Sequence, residues 1–267
     1  MPRFDRFTAG RGALLFFAVG QPVTIAISTL VGSDFSRDDP TGPLLVPWGP
    51  AFAIWGLIVT LTGVYAVWQA VATVDPRGRG AVAGPLAVTA AGFCAWIASA
   101  SVPALTVLTL PIFVLMGAGL LLAVRATRRA SRATWPRWVR GVLWTALGTH
   151  LGWTAIAVWL NASTVLVDAG APVRGAWGFT WQLSLAAAAA GAAALVLFSV
   201  SRTSTPLTLI FGATTVYALV FAAVGALTRN APLPSLVAAA LAVVLAASTA
   251  LIAAARRGQT ASRFARR

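Results

Sequence analysis

The sequence predicts an all-α polytopic membrane protein, a transmembrane helix bundle of about eight helices with N- and C-termini cytoplasmic. Three observations predict it. The chain is 58% hydrophobic and only 10% charged, with a mean hydropathy of +0.83, outside the range of soluble globular domains. Eight apolar runs approach the ~20 residues that a helix needs to cross a ~30 Å hydrocarbon core. Arginine is placed between those runs with strong sidedness.

The runs lie at roughly 13–31, 50–71, 82–101, 104–124, 140–161, 177–199, 206–227 and 233–255. The first follows Arg3, Arg6 and Arg11 and ends without a small-residue cleavage site, so a first membrane helix is expected rather than a signal peptide. In hydrocarbon every backbone N–H and C=O must be satisfied within the segment, which makes these runs helices; barrel strands would be shorter and would alternate. Only Ser99-Ala100-Ser101-Val102-Pro103 separates the third and fourth runs, which predicts a tight helical hairpin. With the N-terminus inside and eight crossings, all but three of the 20 basic residues fall on the inner side. Arg37, Arg174 and Arg229 are the exceptions, and Asp34, Asp38, Asp39 and Asp168 also fall outside. That asymmetry is what the positive-inside rule gives for a multi-pass protein of the cell inner (plasma) membrane.

Composition also narrows function. A net charge of +14 raises the question of nucleic acid, but the arginines sit between apolar runs, so no nucleic-acid partner is expected. Cys94 is alone, which excludes an intramolecular disulfide and a cysteine metal cluster. No aspartate or arginine falls in the middle of a run. This argues against transport coupled to a buried carboxylate and against a membrane hydrolase built on acidic residues. No nucleotide-binding loop follows a strand and no paired metal-ligand spacing occurs. The expectation is a protein that is not an enzyme, with no catalytic residue, no metal site and no required cofactor.

Two stripes carry the candidate site. At ~100° per residue, His150, Trp153, Ala157 and Asn161 share one face of the fifth run. His150, the single histidine, would be a hydrogen-bond partner or an axial ligand to a haem iron, or part of a packing face. Phe52, Trp55, Val59, Thr62 and Ala66 share a face of the second run, below the stiff approach Pro47-Trp48-Gly49-Pro50. Aromatics at its top grade into small residues below, a shape suited to a cavity under an aromatic lid. Gly56 and Gly63 mark a second, close-packing edge. Trp48, Trp68, Trp135 and Trp138 fit an interfacial aromatic belt; Trp55, Trp96, Trp153 and Trp181 lie a turn or more inside their runs. The basic loop Arg125–Arg140 fits a topology determinant, or a surface for anionic lipid headgroups anchored by Trp135 and Trp138.

At these residues the chain resembles the TspO/MBR family of tryptophan-rich sensory proteins. The matching pieces are Pro50-Ala51-Phe52-Ala53-Ile54-Trp55-Gly56-Leu57-Ile58, then Trp96, then Leu151-Gly152-Trp153 with Asn161 following. Gly175-Ala176-Trp177-Gly178 and Trp181 resemble a longer bacterial branch with extra C-terminal helices. Phe52 and Trp55 stand three apart where the short members have a spacing of four. The resemblance implies a five-helix core at 1–165, three additional transmembrane helices at 166–255 and a basic cytoplasmic tail at 256–267. It also implies a membrane receptor or sensor that binds a hydrophobic ligand such as a porphyrin, haem or sterol- or isoprenoid-like molecule. Trp48, Phe52 and Trp55 would form the lid, with Trp96, Trp153 and Asn161 deeper; the fifth-run stripe adds His150 to this set. The expected partners are membrane lipid, the hydrophobic small molecule and a second copy of the chain in a homodimer. The alternative is a secondary transporter or permease for a neutral or lipophilic solute; a membrane enzyme has only His150 to build on.

Overall fold

The structure, a computed structural model, describes residues 6–31, 42–130 and 134–265, without the side chains of 6–8, 103 and 258–265. Asp34, Arg37, Asp38 and Asp39, from the acidic loop expected outside, fall beyond the described residues, as do Arg3, Arg132 and the last two arginines. Eight helices follow in order: α1 Arg6–Leu30, α2 Ile54–Val71, α3 Pro76–Ala100, α4 Thr109–Arg129, α5 Arg137–Asp168, α6 Gly175–Ser201, α7 Thr205–Thr228 and α8 Pro232–Ala265. Each is long and apolar enough to cross a membrane, and there is no strand among the described residues. The all-α membrane bundle expected from the apolar runs is the fold observed.

Helix starts depart from the apolar runs for local chemical reasons. Helix α3 begins at Pro76, ahead of the hydrophobic stretch, because Asp75 caps it: its carboxylate accepts from the Gly78 N–H at 3.0 Å, and Pro76 takes the first position, where no N–H is needed. Asp75 adopts φ 43°, a left-handed conformation that aspartate tolerates better than most residues. Arg79 is thereby drawn inside a helix, although the apolar run leaves it out. Between α3 and α4, Pro103–Leu108 form a 3-10 turn, closed where the Thr109 hydroxyl donates to Thr106 O at 2.6 Å. The fourth helix therefore starts later than residue 104. A second 3-10 turn, Gly49–Ala53, leads into α2, so Phe52 precedes the helix whose stripe it was expected to join. The described arginines and aspartates lie in connections or within a turn or two of a helix end, except Arg256 and Arg257, which lie where the apolar span of α8 ends.

The chain divides into two compact units, Met1–Arg37 with Phe52–Thr154, and Asp38–Ala51 with Ala155–Arg267; the division falls within α5. In the first unit α1 packs on α2 and α3, and α3 on α4. Small residues set these approaches: a Cβ on Gly10 would stand 3.1 Å from the Gly84 Cα, and one on Gly92 would meet the Met116 side chain. Such close contact substitutes for the hydrophobic driving force that lipid does not provide between helices. Gly56 and Gly63 behave otherwise: nothing lies within 4 Å of a Cβ built on either, so the close-packing edge expected there is open space.

In the second unit α6, α7 and α8 pack together, and the segment before α2 folds onto them. Leu44 and Leu45 are buried with Ala223, Ala226, Ala231 and Ala238. Gln182 holds this segment from α6: its Oε1 accepts from the Leu44 N–H at 2.7 Å, and its Nε2 donates to Val173 O and Gly178 O. Arg229 donates to Val46 O at 2.9 Å and to Gly225 O. Leucine at 182 would keep the volume and strand the buried Leu44 N–H, a cost of about 1–3 kcal/mol. The expected outcome of Gln182→Leu is a lower thermal midpoint in detergent and earlier proteolysis near residue 44; unchanged cleavage would show that Gln182 does not hold the segment.

Candidate ligand-binding site

Trp55 stands at the centre of an aromatic nest in the first unit. Its ring centroid lies 4.8 Å from Phe93, 5.1 Å from Trp96, 5.5 Å from His150, 6.2 Å from Trp153 and 6.4 Å from Phe113. Phe52 meets Trp153 edge-on at 5.6 Å. Four helices and a turn supply these rings, each from positions where its periodicity faces inward: Trp55 on α2, Phe93 and Trp96 at i and i+3 on α3, Phe113 on α4, and His150 and Trp153 at i and i+3 on α5. Tilted and edge-on contacts are the favoured aromatic geometries, and Trp55, Trp96, His150 and Trp153 are all at most 5% exposed.

Three of the polar atoms in and beside the nest are left without a partner. Trp55 Nε1, His150 Nε2 and Thr154 Oγ1 are buried without a hydrogen-bond partner. Thr154 lies one turn beyond His150 on α5, with its methyl 3.5 Å from a Cβ built on Gly117 of α4. Buried polar groups are paired in the great majority of cases, and leaving one unpaired costs on the order of 1–3 kcal/mol. Three such atoms fall within this one apolar nest. Haem does not fit this set as packed. A flat macrocycle between two rings needs them parallel and about 7 Å apart, whereas the Trp55 contacts here are tilted or edge-on at 4.8–6.4 Å.

Of the residues expected at the site, Phe52, Trp55, Trp96, His150 and Trp153 come together in the first unit. Trp48 and Asn161 belong to the second unit. There Trp48 stacks on Phe221 at 6.4 Å and is 40% exposed, its backbone N–H donating to Phe221 O. Asn161 Nδ2 donates to Ala157 O at 2.8 Å, one turn back on its own helix. Phe93, Phe113 and Thr154 escaped the sequence reading. The i, i+3 spacing of Phe93 with Trp96 and the i, i+4 spacing of Thr154 with His150 were the available signals. In the second unit a space of about 20 Å³ bordered by Leu45, Trp159, Ser163 and Gln182 has room for little more than one water.

A second polar cluster occupies the end of the first unit where α2 stops. Arg11 donates to Gln69 O, Gln69 Oε1 and Ala70 O, and Gln69 Nε2 donates back to Arg11 O. Arg79, 1% exposed, donates to the same Gln69 O and to Val74 O. These guanidiniums take over carbonyls that the last turn of α2 leaves without helical partners. Trp135 was expected in the interfacial belt, yet it is 2% exposed. Its indole donates to Asp75 Oδ2 at 3.2 Å, and its ring packs on Trp68 and Tyr65. Trp138, 55% exposed, keeps the belt position. No group of three or more potential metal ligands occurs among the described residues.

A family model described as TSPO-like protein matches residues 23–253, most of the chain. No curated protein and no solved structure matches it.

Proposed function

The chain belongs to the TSPO-like protein family, and from that premise we propose that it is a receptor- or sensor-like membrane protein whose first unit binds a hydrophobic ligand in the Trp55 nest. The observation that carries this reading is the set of three unpartnered polar atoms, Trp55 Nε1, His150 Nε2 and Thr154 Oγ1, inside a shell of rings. A packing core has no use for three stranded hydrogen-bonding groups. A ligand with an apolar body and a small polar end satisfies them while its body takes the aromatic contacts. The indole can only donate, the threonine hydroxyl donates or accepts, and the imidazole nitrogen does either according to tautomer. An alcohol or carbonyl on a sterol- or isoprenoid-like skeleton meets that inventory. A porphyrin would have to turn the Trp55 ring aside before it could stack. The proposed role is binding rather than catalysis, a reading supported by the thin inventory of one indole, one imidazole and one hydroxyl.

The test is tryptophan fluorescence of the purified full chain titrated with protoporphyrin IX and, separately, with a polyprenol. Thr154→Val and His150→Phe remove polar atoms while keeping bulk, and each is expected to weaken binding of the preferred probe by about tenfold, the equivalent of 1.4 kcal/mol for one hydrogen bond to a buried group. If wild type and a Trp55→Ala, Trp153→Ala double variant respond alike to both probes, the nest is not the site.

A further inference from the structure

Beside the nest, the first unit carries an open groove of about 800 Å³ along α1 and α2, within the ~300–1,000 Å³ range of ligand clefts. Small and β-branched side chains make up most of its border. Ala18 and Pro22 of α1 and Gly63 of α2 form its floor, and Val67 and Val71 continue it toward the end of α2. Trp68 and Trp138 close that end. Trp68 faces two ways, bordering the groove and packing on Tyr65 and Trp135 of the polar cluster at 5.9 and 5.3 Å. The apolar trough thus leads to the place where Arg11 and Arg79 converge on one carbonyl, Gln69 O.

The charge there is not balanced. Arg11, Arg79 and Asp75 are the charged groups facing Tyr65, two guanidiniums against one carboxylate. Exposed Arg137 adds a further positive charge next to Trp138. The Tyr65 hydroxyl is itself buried without a partner. An apolar trough that ends at interfacial tryptophans and surplus arginine has the charge and polarity profile of one bilayer component. We propose that the groove seats an acyl chain of an anionic phospholipid whose phosphate lies against Arg11 and Arg137. Electrostatics then selects the headgroup, each arginine at the surface contributing about 1 kcal/mol toward an anionic lipid, and the trough fixes where the lipid sits. This site is separate from the Trp55 nest and stands whether or not the nest binds a ligand.

Native mass spectrometry of the detergent-purified full chain tests the proposal, with palmitoyl-oleoyl phosphatidylglycerol and phosphatidylcholine added in parallel. Phosphatidylglycerol should be retained about fivefold or more over phosphatidylcholine, the factor that 1 kcal/mol gives, and the preference should fall as salt rises. Gly63→Leu fills the trough and adds helix propensity; it should cut phosphatidylglycerol retention at least tenfold without lowering the thermal midpoint. Arg137→Gln should reduce the preference and leave total lipid retention nearly unchanged. Equal retention of the two lipids, undiminished binding in Gly63→Leu, or a dimer that excludes both lipids would each overturn the proposal.

Discussion

Trp55→Ala is expected to lower the thermal midpoint of the full chain in detergent by on the order of 10 °C and to abolish binding of whichever probe the nest prefers. The indole touches five rings, from Phe93 at 4.8 Å to Phe113 at 6.4 Å, so its removal opens a cavity that neighbours on three helices cannot all collapse into. Buried aromatic truncations of this kind cost about 3–5 kcal/mol. Trp55→Phe separates packing from recognition. It restores most of the ring contacts and therefore most of the midpoint, but it lacks the Nε1 donor that is now unpartnered. Circular dichroism melts and fluorescence titrations of both variants make the check. If Trp55→Phe binds as tightly as the native protein, the indole N–H plays no part in recognition.

Gly119→Val should be nearly as damaging, and for the opposite reason. A Cβ at 119 would stand 2.6 Å from Thr89 Oγ1 and 2.9 Å from Pro85 O. The first atom can rotate away. The second is backbone, so α3 itself would have to retreat from α4. Overpacking at a tight crossing costs about 1–3 kcal/mol, and more where backbone must move. Thr89 also loses its place: its hydroxyl bridges to Pro85 O and Met116 O across that contact. Expected outcomes are poor detergent-stable yield and a midpoint several degrees lower. Thr89→Ala on the same background should recover only part of the loss, because the Pro85 carbonyl remains. Full rescue would place the strain on the side chain alone, and no loss at all would mean that the helices do not approach as closely as described.

The membrane helices were legible because lipid imposes one rule on every residue of a run, and α1 to α8 follow the eight apolar stretches in order. Ends were less legible because capping chemistry sets them. Asp75-Pro76 starts α3 early and brings Arg79 inside, a signal that hydropathy cannot register. Gly56 and Gly63 satisfy a close-packing spacing without a helix to pack on, whereas Gly92 and Gly119 make the tight contacts with neighbouring helices. A spacing motif says that a helix can approach, and only the partner decides that it does. The site was half legible in the same sense. Helical periodicity placed Trp55 with Thr62 and His150 with Trp153, since those relations are local. Pairing Trp55 with Phe93, Trp96 and Phe113 is a relation between helices, and nothing within one run encodes it. Trp135 shows the reverse error: its composition suits a belt, but Asp75 offers its indole an acceptor and draws it inward.

The position of the charged side chains near helix ends bears on what energy source the protein can draw upon. An elementary charge that crosses the whole membrane field gains or loses about 2.3 kcal/mol per 100 mV. Arginine or aspartate placed halfway along a helix could convert a small rearrangement into a voltage-dependent one, as gating charges do. Here Arg11, Asp75 and Arg79 are tied to the terminal turn of α2 and the first turn of α3, where little of the potential falls. Rearrangement of the Trp55 nest, built from neutral rings, moves almost no charge through the field. Any such rearrangement should accordingly be nearly indifferent to the membrane potential.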